Sequence, residues 1–212
     1  GIDTGGCVKL PEQLEGQWRF RKRITFPAGG APSDLNVFPV LVSISHSEFF
    51  EHTRADGRDV MFVDNHGKPL PYERELYDAA TNRFLAWVLL PVIYANQETP
   101  IEVYYGSPDV GETETPSLVW GYGFSAVWHL SEPAVDELET TLHVDSTGKG
   151  HFGTQQGNKS VVGAIGQAQE FDGVDDHIVV ANSHTIALGQ TDCTISAWLK
   201  TATNYGSGIF IK

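Results

Sequence analysis

Apolar residues recur along this chain mostly at every second position, in short bursts separated by Gly, Pro, Asn and Asp. That rhythm belongs to short antiparallel strands, and it predicts few helices. The first burst, residues 18–26, places Trp18, Phe20, Ile24 and Phe26 on one face and Arg19, Arg21, Arg23 and Thr25 on the other, a strand with one wet side. Residues 38–45, 59–63, 84–90 and 101–105 follow as strands, bounded by turn chemistry such as Asp64-Asn65-His66-Gly67. The run 84–90 is apolar on both faces, which predicts a central strand covered from both sides.

Between residues 107 and 117 the composition turns acidic and proline-bearing, the mark of an exposed connection. A second block then offers strands at 125–130, 168–171, 177–180 and 194–200 and a glycine-rich turn at 145–150. The pattern predicts an all-β protein of two consecutive antiparallel β-sandwiches, residues 18–117 and 118–212, after an N-terminal extension at 1–17. The final run Gly208-Ile209-Phe210-Ile211-Lys212 is strand-like with nothing following to cover it, so the natural polypeptide is expected to continue.

With 212 residues, 41% of them hydrophobic, the chain can build ordinary cores. Lys and Arg number 14 against 27 Asp and Glu, and the net charge of -13 repels a phosphate backbone, so nucleic acid is excluded as a partner class. No apolar run approaches the roughly 20 residues of a membrane span, and the start Gly1-Ile2-Asp3-Thr4 lacks a charged-then-apolar leader. Cys7 and Cys193 are the two cysteines. A disulfide between them in an oxidising compartment and a buried Cys193 thiol on the face of Ile195, Ala197 and Leu199 both fit.

The candidate chemistry is sparse. Glu137 and Glu139 would share a strand face, as the two carboxyl groups of a retaining glycosidase must, but no apolar alternation surrounds them and they read as a solvated acidic loop. There is no Gly-x-Ser-x-Gly elbow, and no cysteine in a cleft-like context. The expectation is a chain that is not an enzyme and requires no cofactor. His143, Asp145 and His151 flank a glycine turn and are weak metal ligands there. Asp172, Asp175 and Asp176 have the oxygen-rich look of a calcium loop, without the spacing or terminal Glu of an EF-hand, and a hairpin turn demands the same residue types.

Sugars stack on flat aromatic faces. Trp87 and Trp198 lie among apolar neighbours and are expected in cores, which leaves Tyr77, Tyr104 and Tyr122 as the exposed candidates for ligand binding. Arg19, Arg21 and Arg23 form a basic stripe that could meet an acidic glycan or partner, or pair across strands with Glu73 or Glu75.

The segment from Gly163 through Phe171-Asp172-Gly173-Val174-Asp175-Asp176 to Val180, followed by Thr194-Ile195-Ser196-Ala197-Trp198-Leu199-Lys200, resembles the opening half of laminin-G-like jelly rolls of the concanavalin A type. Ala126-Val127-Trp128-His129-Leu130 and Asp145-Ser146-Thr147-Gly148-Lys149-Gly150 match that family's lead-in. The first block, through residues 18–26, 38–42, 59–64, 70–75, 86–88 and 103–106, resembles a bacterial domain of unknown function that stands before such jelly rolls and in periplasmic regions of TolQ/ExbB-type proton-channel proteins. The resemblance implies a partial jelly roll, completed by a further domain or chain. It also implies an extracytoplasmic location at the cell surface, in the periplasm or secreted. The role it implies is a recognition or adhesion module for carbohydrate or a cell-envelope protein, with calcium as a cation the fold can take. A structural module of a larger envelope complex, or accessory domains of a hydrolase, are the alternatives.

Overall fold

Alternation closes the first core. In strand β1 (Phe20–Phe26), β3 (Val60–Asp64), β4 (Pro69–Leu70) and β7 (Thr99–Tyr105), the inward residues Phe20, Ile24, Val60, Phe62, Leu70, Ile101, Val103 and Tyr105 are apolar. These strands form an antiparallel sheet in the order β1-β7-β3-β4. A second antiparallel sheet, β2-β6-β5, is built from β2 (Leu35–Ile44), β5 (Tyr72–Asp78) and β6 (Arg83–Ile93). Its inward Val42, Ile44, Phe84, Ala86, Val88, Leu90 and Tyr72 join the same core. A six-residue helix, α1 (Ser47–His52), adds Phe49 and Phe50, and Phe49 meets Phe84 and Tyr105 at ring-centroid distances of 5.2 and 4.9 Å. Burying each of these large side chains contributes about 1.5–3 kcal/mol.

The computed structural model describes residues 17–133, 142–181, 184–186 and 192–202. The chain falls into two units, Gly1–Gly123 and Phe124–Lys212. The first runs past residue 117 because a one-turn helix, α2 (Pro116–Val119), and Trp120 pack on β5 and β6. As the double-faced apolar run predicts, β6 is central in its sheet and its residues 84–86 and 88–90 are buried.

The segment read as an exposed connection instead lies along the free edge of β5. The Thr115 N–H donates to the Tyr72 carbonyl at 2.9 Å, and the Arg74 N–H donates to the Glu114 carboxylate at 2.8 Å. The Tyr72 and Thr113 hydroxyls converge on the Val60 carbonyl at 2.9 and 2.7 Å. The other sheet edges are blunted too: β4 is two residues long, β1 carries Arg21, Lys22 and Arg23, and β2 carries Pro39, which has no N–H, beside Val37 at a φ of 51°.

The second unit holds a three-stranded antiparallel sheet, β12-β9-β8, from β8 (Leu142–His143), β9 (Gly153–Gln156) and β12 (His177–Val180). It also holds an antiparallel pair of β10 (Lys159–Val162) and β11 (Gln167–Glu170). The expected strands 168–171 and 177–180 match β11 and β12. Two others fail. Residues 125–130 form no strand, because their polar contacts run to the 145–151 turn instead of to a ladder, and residues 194–200 are exposed and join no ladder among the described residues.

Gly57 tests the first core. Its φ is 63°, and a Cβ there would stand 2.4 Å from the Tyr77 ring, which packs on Phe50 and Phe84. Gly57→Ala should destabilise the first unit by about 2–4 kcal/mol, the sum of left-handed strain and overpacking, read as a lower midpoint in urea unfolding followed by Trp87 and Trp120 fluorescence.

Candidate functional site

The arginine stripe stands on the outer face of β1, as alternation requires, but its cross-strand partner is on β7. Arg21 lies 3.5 Å from Glu102, and the Tyr104 hydroxyl donates to the same carboxylate at 2.7 Å. Glu73 and Glu75 belong to the other sheet and do not meet the stripe. Arg19 and Arg23 are exposed. Tyr104, expected on the surface, is 3% exposed, because Trp18 crosses to the outer face and packs with Met61, Val63 and Tyr104 instead of lining up with Phe20. Trp18 precedes β1, so strand alternation does not govern it. Burial and the bond to Glu102 push the Tyr104 hydroxyl pKa up.

Tyr77 is also spent in the fold. Its ring packs against Phe50 and Phe84, and its hydroxyl bonds Thr53 at 2.8 Å. Tyr122 is 69% exposed. Trp198, expected in a core, is 80% exposed, since residues 192–200 pack under no sheet. Cys193 beside it is an exposed free thiol and not a buried one; Cys7 lies outside the described residues, as do Glu137 and Glu139.

Sequence reading missed the carboxylates that the fold puts to use. On the outer face of the β2-β6-β5 sheet, the Trp120 indole N–H donates to Glu73 at 2.5 Å and the Trp87 indole N–H to Glu75 at 3.0 Å, with the two indoles edge to face at 5.4 Å. The Trp120–Glu73 bond holds the end of α2 to the sheet and the Trp87–Glu75 bond ties β6 to β5, and they commit both carboxylates to structure. The spacing Glu73-x-Glu75 was visible, but the residues facing it lie up to 47 positions away.

In the second unit, the three residues drawn together as metal ligands each have another partner. The Asp145 carboxylate accepts the N–H groups of Val127, Thr147 and His151 at 3.1 Å each and the Thr147 hydroxyl at 2.7 Å. The His151 ring bonds Thr185 at 2.8 Å. His143 is fully buried, with Nδ1 2.8 Å from Glu132; a carboxylate only accepts, so Nδ1 donates, and Nε2 has no hydrogen-bond partner among the described residues. Glu132 also accepts the Val144 N–H at 2.7 Å. A chain of amides, with Gln155 and Asn158 buried and Gln169 partly so, continues from there: Gln169 donates to the Leu130 and Glu132 carbonyls, Asn158 to Gln169, and Gln155 to the Asn158 carbonyl. The lead-in 124–133 is thereby wired to the sheet by polar groups, which is why it needs no ladder.

The structure does bring Asp172, Asp175 and Asp176 together, with ligand oxygens all within 4.8 Å of one another. The donor set is pure carboxylate, the chemistry calcium takes. Those oxygens already serve the turn: Asp172 accepts the Val174 N–H at 2.7 Å and Asp176 accepts the Asp172 N–H at 2.8 Å.

The described residues thus define an all-β protein of antiparallel sheets whose polar clusters are largely structural. Residues 56–128 match a protein-family model described as a domain of unknown function, DUF2341, in agreement with the resemblance read in the first block. Searches of curated proteins and of solved structures each found no match. No helix among the described residues is long and apolar enough to cross a membrane.

The more buried carboxylates of the two units shift in opposite directions, while the less buried Glu48, Asp56 and Asp78 of the first unit are lowered by their hydrogen bonds and neighbouring cations. Burial raises Asp59, against the N–H groups of Arg54 and Gly106, and raises Glu114, against Arg74. A raised folded pKa contributes stability that is complete below the ordinary carboxylate range and lost as pH rises through the folded value. Burial opposes ionisation of Glu132 and Asp145 too, but the bonds from His143 and Val144, and from Thr147, Val127 and His151, outweigh it and leave both lowered. Their contribution is present above the ordinary range and lost as pH falls through the depressed values. Acidification from neutral through about pH 4 should therefore collapse the amide NMR dispersion of the second unit before that of the first. Glu132→Gln should flatten that second-unit response; equal acid responses of both units would contradict it.

Proposed function

We propose that this chain is a non-catalytic, extracytoplasmic recognition module that binds carbohydrate or a cell-envelope partner. The observation that supports the reading is Trp198: an indole 80% exposed, on a segment whose described residues are all exposed, is a contact surface in waiting, and the exposed ring of Tyr122 belongs to the same chemistry. Of the tyrosines expected to bind, Tyr77 and Tyr104 are consumed by packing, so the reading now rests on Tyr122 and Trp198, with Arg19 and Arg23 as the exposed cations. The resemblance of the second block to the first half of a laminin-G-like jelly roll, and of the first to a domain that precedes such folds, belongs to the same proposal, including a periplasmic or cell-surface setting. A role as an assembly module of a larger envelope complex is the second reading, favoured by the unpaired backbone of residues 192–200.

A glycan array followed by calorimetric titration tests the primary reading. The wild-type chain should bind a restricted set of glycans, and Trp198→Ala or Tyr122→Ala should weaken binding about tenfold, equivalent to about 1.4 kcal/mol. Silence across a broad panel, or binding indifferent to both substitutions, would count against carbohydrate.

A further inference from the structure

The two units treat their unpaired backbone differently. In the first, each sheet edge is shortened, charged, proline-bearing or covered. In the second, β12 is terminal in its sheet among the described residues, and His177-Ile178-Val179-Val180 carries no Pro, no Lys and no register shift. The same unit contains a stretch with strand chemistry and no ladder. Residues 193–199 hold no charged side chain and alternate Cys193, Ile195, Ala197 and Leu199 against Thr194, Ser196 and Trp198. All of them are exposed, Ile195 at 57% and Leu199 at 61%. Local preference and local structure disagree there, and an added strand resolves the disagreement.

We infer that the chain self-associates by reciprocal strand addition, residues 194–200 of one copy pairing antiparallel with the free edge of β12 in a second copy. Charge selects this occupant. Every ladder among the described residues is antiparallel, and the same direction here carries Lys200 to the turn where Asp172, Asp175 and Asp176 cluster, while Asp192 goes to the opposite end, beyond Val180. Residues 178–180 and 193–199 contain no charge, so the contact itself escapes the repulsion that a net -13 imposes on two copies elsewhere. Each copy offers both the donor strand and the acceptor edge, and a reciprocal exchange of the two strands closes as a two-fold dimer. Backbone pairing leaves both strand faces available, with Trp198 opposite Ile195 and Leu199. The inference goes beyond the recognition reading and does not depend on any glycan being found.

Sedimentation velocity on the full chain, from micromolar to sub-millimolar concentration, tests it. The wild type should show a monomer–dimer equilibrium. Ser196→Pro removes a backbone donor from an exposed, unpaired segment, and Lys200→Glu places like charges at the acidic turn; each should weaken dimerisation at least about tenfold with unchanged circular dichroism. Adding Asp175→Lys to Lys200→Glu should restore the dimer, since the Asp175 side chain is exposed and the swapped pair is again opposite in sign. A chain monomeric at every concentration, a dimer indifferent to Ser196→Pro, or a charge swap that restores nothing would overturn the inference.

Discussion

A strand at the margin of a sheet leaves a row of N–H and C=O groups that only water or another backbone can satisfy, and this constraint organises the whole chain. The first unit answers it four ways. β4 stops after two residues, β1 is lined with Arg21, Lys22 and Arg23, β2 carries Pro39, and β5 is overlaid by residues 113–115. With its margins closed, that unit can devote its apolar side chains to one interior, where Phe49, Phe62, Phe84, Tyr72 and Tyr105 meet. In the second unit, β12 and residues 192–200 show no such device among the described residues.

Strand alternation was readable wherever both neighbours of a residue lay in the same ladder. β2, β3, β6, β7, β11 and β12 all fall where the two-residue rhythm put them, and the double-faced run in β6 correctly marked a central strand. The rhythm misled at its ends. Trp18 precedes β1 and turns to the outer face, and by doing so it buries Tyr104, which alternation alone would expose. β5 was harder to read because Tyr72-Glu73-Arg74-Glu75 is polar on its outer side; what covers Glu73 and Glu75 there are indoles from Trp120 and Trp87.

The polar residues followed a different logic. Asp145 was visible beside a glycine turn, yet its role is to gather amides from Val127, Thr147 and His151, and only the fold brings Val127 near. Glu132 pairs with His143 across a gap of 11 positions, a spacing that carries no motif. Side chains that looked like chemistry are thus the means by which a lead-in without strands is held in place, while two of the exposed aromatics, Tyr122 in the first unit and Trp198 in the second, are where recognition is proposed.

Amide hydrogen exchange in dilute solution, followed by mass spectrometry peptide by peptide, tests the contrast between closed and open backbone most directly. Peptides from β2 and β5 should be protected to nearly the degree of β6, and the peptide containing residues 192–202 should exchange at the rate of an unstructured chain. Exchange from β2 and β5 as fast as from 192–202, or protection of 192–202 equal to that of β6, would contradict it.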